Sequence, residues 1–170
     1  MVAVIDDPDA LRKMFTALTE HCLHVDLGIA DAPLVDYVAQ LLVRFVRYDA
    51  LYRVRDVNGR PLEDVAAMLA EAEERVAAPR RELYRHVGDV ALFWTGVFPE
   101  AIARMQASGA RDGLLDYQQQ GKRSYFIAST FDVEPYREEA PVLRRLSEEF
   151  ELLAVGLRRV RAEWENLSPN

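Results

Sequence analysis

The sequence predicts an all-α protein: a compact, single-domain helical bundle of about six to eight helices over residues 1–170, with a long C-terminal helix and flexible ends at 1–7 and 167–170. Apolar residues recur at three- and four-residue spacing along the chain, and the period-two alternation of a half-buried strand is nowhere sustained. Acidic caps, prolines and glycines punctuate those stretches at helix-length intervals.

The first helix is capped by Asp7 or Asp9, carries Leu11, Phe15 and Leu18 at helical spacing, and ends before a turn over 28–32. Asp31 followed closely by Pro33 starts the second, because a side-chain acceptor then precedes a residue lacking the N–H that would go unused. Leu34, Val38, Leu41, Leu42, Phe45 and Val46 form its apolar stripe. A loop over 56–61 contains Asn58-Gly59 and Pro61, and a third helix follows over 62–76. Pro79 restarts a helix over 80–95, which the Val97-Phe98-Pro99-Glu100 break ends. A short helix to Met105, a polar loop over 108–113, a helix over 114–128 and a loop over 130–138 come next. The longest helix is expected over 141–166, with Leu143, Leu146, Phe150, Leu153, Leu157 and Val160 along one side.

Composition narrows the function classes. Half the residues are hydrophobic and 29% are charged, so the chain can bury a full core. Acidic residues exceed basic ones by 28 to 21, which repels phosphate backbones and argues against nucleic acid as a partner. A lone Cys22 excludes an intramolecular disulfide and a cysteine zinc cluster, and favours a reducing, cytoplasmic setting. The N-terminus lacks a basic signal-like region, and no apolar run approaches the ~20 residues of a membrane span, so no membrane association is expected.

The stretch 84–125 departs most from an ordinary helical sequence, with glycine, Trp, Tyr, His and paired charges where Leu, Ala, Glu and Lys would be usual. Its glycines, Gly88, Gly96 and Gly121, read as sites of close helix approach rather than as a phosphate loop, since no Gly-x-x-x-x-Gly-Lys-Ser pattern surrounds them. A smaller set, His86, Asp89, Trp94, Tyr117, Lys122, Arg123 and Tyr125, supplies candidate ligand-binding groups. Asp89, three residues after His86, would orient its imidazole, and Arg123 would offer paired donors to an anion. A second concentration, Arg44, Arg47, Tyr48, Tyr52, Arg53 and Arg55, has the composition of a protein interface, with the acidic run Glu71, Glu73 and Glu74 as an alternative intrachain partner.

No catalytic constellation is complete. His21, His24 and His86 are a weak candidate metal set, similar to DinB-like helical bundles, but the second histidine pair of that family has no counterpart around His86. No Glu has His three residues later, as a di-iron bundle requires. Cys22 faces no base, and Ser124 lacks a strand-turn-helix elbow. No cofactor is therefore expected.

The ordering Gly88-Asp89-Val90-Ala91-Leu92-Phe93, Gly96-Val97-Phe98-Pro99-Glu100, Asp116-Tyr117 and Gly121-Lys122-Arg123-Ser124-Tyr125 resembles a bacterial family of small helical proteins, over roughly residues 80–160. The resemblance implies a discrete bacterial helical domain and carries no activity. The expectation is a non-enzymatic, cytoplasmic binding domain acting as a homodimer or on an acidic protein partner. The alternative is a small-molecule-binding protein or enzyme with a pocket formed by 84–125.

Overall fold

The computed structural model describes residues 7–46, 64–109 and 111–167, and among them are eight α-helices and no strand. Helix α1 spans Pro8–Glu20, capped by Asp7, whose carboxylate accepts from the Asp9 amide at 3.0 Å. It widens into one π turn, His21–Asp26, and stops at Gly28. The φ of +70° at Gly28 is a conformation glycine adopts at no steric cost, and the amides of Gly28 and Ile29 bond back to the carbonyls of His24 and Leu23 at 3.1 and 2.9 Å. Helix α2, Ala32–Val46, starts on Asp31 as the sequence predicts: its carboxylate accepts from the Leu34 amide at 3.2 Å. The loop expected over 56–61 and the first residues of the helix expected from 62 lie outside the described residues.

Helix α3, Val65–Glu74, is held at its start by two carboxylates. Asp64 accepts from the Ala67 amide at 2.6 Å. Asp112, in a 3₁₀ turn over Arg111–Leu114, accepts from the amides of Val65 and Ala66 at 2.8 and 2.9 Å and from the Tyr117 hydroxyl at 2.6 Å. Two acceptors thus meet N–H groups that have no partner within the helix.

Helix α4, Ala77–Val97, begins three residues before the expected start, because Pro79 is tolerated inside the first turn rather than opening it. Phe98 ends it, and Pro99 opens α5, Pro99–Ala107. Helix α6, Tyr117–Ser129, starts later than the sequence suggests because Asp116 caps it, accepting from the Gln119 amide at 3.1 Å. The loop after α6 is pinned to α4 by Arg81. That buried guanidinium donates to Glu82 and to Glu139 at 2.9 Å and lies 4.1 Å from the Tyr136 ring centre, while Arg85 donates to Glu139 at 3.1 Å.

The single long helix expected over 141–166 is two, α7 over Ala140–Glu148 and α8 over Phe150–Leu167, and among the described residues α4 is the longest instead. No proline or glycine marks the break at Glu149. Anchors on either side of it do: the Ser147 hydroxyl donates to the Lys122 carbonyl at 2.7 Å, and the Phe150 ring seats against Gly121. Both anchors lie on α6, so the chain packs α7 on α6 and then re-aims α8 onto α4.

Helix α4 is the central element, packed by α6, α8 and α3. Its two glycines let neighbouring helices approach closely. A β-carbon at Gly88 would lie 2.6 Å from the Tyr125 ring, and one at Gly96 would lie 2.6 Å from Leu157. Gly121 answers from α6, where a β-carbon would meet Phe150 at 2.6 Å and Ala91 at 2.8 Å. Among the described residues no helix is long and apolar enough to cross a membrane.

Candidate functional site

Past the Gly96–Leu157 contact, where α1, α2, α4 and α8 converge, the side chains leave a cavity of about 200 Å³. Six rings wall it: Phe15 from α1, Phe45 from α2, Phe93 and Trp94 from α4, Phe98 at the α4–α5 junction, and Trp164 from α8. Leu42, Val97, Leu157 and Val160 complete the lining, with Arg161 its one charged member. The rings fix one another. Phe45 and Phe93 stack at 5.2 Å between centres, Phe93 meets Trp94 and Phe98 edge to face at 5.6 and 5.7 Å, and Phe15 meets Trp164 edge to face at 5.3 Å. Apolar cavities of about 150 Å³ stay dry and accept benzene, so this one has room for a small ring system.

Arg161 bounds the cavity. Its Nη1 donates to the Val97 carbonyl at 2.8 Å and to Glu100, its Nε donates to Glu165 at 2.8 Å, and its guanidinium lies 5.1 Å from the Phe98 ring centre.

A second arrangement lies one turn before Phe93 on α4, shared with α2 and α6. Asp89, only 1% exposed, accepts from the Tyr125 hydroxyl at 2.7 Å and the Tyr37 hydroxyl at 2.8 Å on Oδ1, and faces Arg44 Nη2 at 3.4 Å across Oδ2. Burial raises the Asp89 carboxyl above its ordinary value, against the opposing pull of Arg44 and the Tyr125 hydroxyl. Burial and then the Asp89 charge push both tyrosines well above theirs. A general base must reach a substrate proton. Here both carboxylate oxygens are taken up by side chains of α2 and α6, so the network joins three helices.

The candidate residues of the 84–125 stretch are distributed among several environments. Asp89 and Tyr125 are brought together, with Tyr37 as a partner the sequence did not single out. Trp94 lines the apolar cavity, and Tyr117 belongs to the Asp112 clasp on α3. Lys122 pairs with Glu151 at 2.5 Å, and Arg123 of α6, half exposed, reaches Glu73 at 4.0 Å, a member of the acidic run that the sequence offers to Arg44 and its neighbours instead. His86 has its ring centre 6.1 Å from that of Phe45. Asp89 serves the tyrosines and Arg44, where the sequence suggested it would orient His86.

Of the Arg/Tyr set, Arg47, Tyr48, Tyr52, Arg53 and Arg55 lie outside the described residues. Arg44 turns inward onto Asp89, with its guanidinium 5.8 Å from the Tyr37 ring centre. His21 and His24 line one groove with Glu20 and Asp36, where His21 approaches Asp26 at 3.7 Å and His24 Nδ1 lies 3.1 Å from the Ile29 carbonyl, whereas His86 is apart from them on α4. Among the described residues no group of three or more His, Cys, Asp or Glu side chains is placed to hold a metal ion.

Phe15, Leu42, Phe45, Leu157 and Val160 were legible as core stripe, and Trp164 continues that stripe one turn beyond Val160. Periodicity marks a residue as inward-facing, and it cannot mark that the inward faces fail to fill their space. No protein-family profile, no curated protein and no solved structure matches the chain. The resemblance over 80–160 accordingly adds nothing to the functional reading.

Proposed function

We propose that this chain is a helical binding domain that takes up a small apolar molecule in the ring-walled cavity between α1, α2, α4 and α8, and acts by binding rather than by catalysis. The observation that carries the reading is the lining: apart from Arg161 and the indole nitrogens, every side chain bounding the cavity is hydrocarbon. Ligand sites are concave and mainly apolar, with few polar groups. The cavity draws Phe93, Trp94, Val97 and Phe98 from the stretch that the sequence marked as unusual. The single, buried Cys22 supports a reducing, cytoplasmic setting.

Both tryptophans of the chain, Trp94 and Trp164, line the cavity, so intrinsic fluorescence reads its occupancy directly. Titration with naphthalene is expected to change the emission saturably and to stabilise the fold, by about 2.7 kcal/mol at a hundred times Kd. Val97→Phe, which fills the space, is expected to abolish both effects with helicity retained. Unchanged emission and unchanged melting across a series of small apolar rings would overturn the proposal.

A further inference from the structure

Resting on that reading, we propose that the cavity selects uncharged aromatic ring systems over carboxylates and ammonium ions of the same shape, and that Arg161, balanced by Glu100 and Glu165, sets this selection. A lone arginine beside an apolar cavity would ordinarily suggest an anionic head group. Here the guanidinium is already engaged on two sides, Nη1 by Glu100 and the Val97 carbonyl and Nε by Glu165. Two carboxylates surround one guanidinium, so an incoming carboxylate must displace an acid that is already bonded, next to a second acid of the same sign. The Glu100 carboxyl is held below the usual carboxylate range, by its own backbone amide and then by Arg161, so it is ionised at neutral pH. An ammonium ion fares no better, because the charge bounding the cavity itself is the guanidinium. Inside, nothing ionic is available to compensate either ion for lost water.

Ring orientation supplies the preference for aromatic over aliphatic occupants. Phe93 lies nearly parallel to Phe45, at 27°, and nearly perpendicular to Trp94 and Phe98, at 75° and 69°. Wall rings held at both orientations let a flat guest stack parallel to one and stand edge to face with another, the two arrangements that aromatic pairs favour. Each good ring pair is worth roughly two- to ten-fold in affinity beyond the area buried. A saturated guest of equal size gains only the area.

The test compares naphthalene, decalin, 2-naphthoate and 2-naphthylmethylammonium on the full chain, read by tryptophan emission and by melting temperature. Naphthalene is expected to bind about ten-fold or more tightly than each of the others. With Glu100→Gln and Glu165→Gln together, the naphthalene-to-naphthoate affinity ratio is expected to fall about five- to ten-fold, because the guanidinium is no longer balanced. Arg161→Met, which leaves two carboxylates at the rim, is expected to move the residual preference towards the ammonium. Tighter binding of naphthoate or decalin than of naphthalene to the parent protein would overturn the selection. Ratios unmoved in both variants, each folded by circular dichroism, would overturn the assignment to Arg161. Failure of all four probes is a different result, which removes the cavity reading itself.

Discussion

Replacing Gly88 with alanine is expected to destabilise the protein, although the same change in an exposed helix interior gains about 1 kcal/mol from helix propensity. The new β-carbon would lie 2.6, 2.7 and 2.8 Å from three atoms of the Tyr125 ring. That ring cannot move aside freely. Its hydroxyl is bonded to buried Asp89 at 2.7 Å, and the Phe150 ring lies beside it, with ring centres 6.3 Å apart. Overpacking of this kind costs about 1–3 kcal/mol, and weakening a hydrogen bond to a buried carboxylate costs about 1.5–3 kcal/mol. Set against the propensity gain, the net loss is about 1.5–5 kcal/mol, or roughly 3–20 °C in melting temperature for a chain of this size. Urea unfolding followed by circular dichroism measures it. A double-mutant cycle with Tyr125→Phe then tests the mechanism, because a ring already pushed off Asp89 loses less when its hydroxyl is removed. A Gly88→Ala protein as stable as the parent, or additive single and double variants, would refute the argument that Asp89 and Phe150 hold Tyr125 in place.

Two other perturbations follow from carboxylates that tie elements together, buried Asp112 and half-buried Glu139. Asp112→Ala removes the acceptor for the Val65 and Ala66 amides and for the Tyr117 hydroxyl, and is expected to cost about 2–3 kcal/mol and to speed hydrogen exchange at those two amides before the rest of the bundle. Uniform exchange across α3 and α4 would count against a local clasp. Burial alone would raise the Glu139 carboxyl, but Arg81 and Arg85 outweigh it and hold the group below its ordinary 4.5. A depressed folded pKa stabilises above the unfolded value and stops doing so as pH falls through the folded one. Glu139→Gln is therefore expected to cost about 2 kcal/mol near neutral pH, less than a fully buried pair because Glu139 stays a third exposed, and to converge on the parent as pH drops below 4.5. A difference independent of pH would show that the ion pair is not its source.

Much of the helix order was legible because helix boundaries are local. Asp31, Pro99 and Gly28 each act within a turn of their own position, and the structure uses all three where a helix starts or stops, while Asp116 caps a helix expected to begin three residues earlier than it does. The break at Glu149 was not legible, since its cause is on another helix: Ser147 and Phe150 are held by Lys122 and Gly121 of α6. The candidate site divides in the same way. Asp89, Tyr125 and Trp94 stood out as residue types unusual in an apolar helix, whereas Tyr37 and Trp164 look like ordinary members of amphipathic stripes.

By itself, then, the sequence determined the all-helical class, most of the caps and the inward faces, because each depends on contacts within about one helical turn. Only the tertiary structure decided which side chains Gly88, Gly96 and Gly121 receive, that Asp89 is enclosed by two tyrosines and an arginine, and that six rings from different helices stop short of filling the space between them. Periodicity records the direction in which a side chain points. Whether opposing side chains meet, bond or leave a cavity depends on the distance between helices, and that distance is set by contacts far apart in the chain.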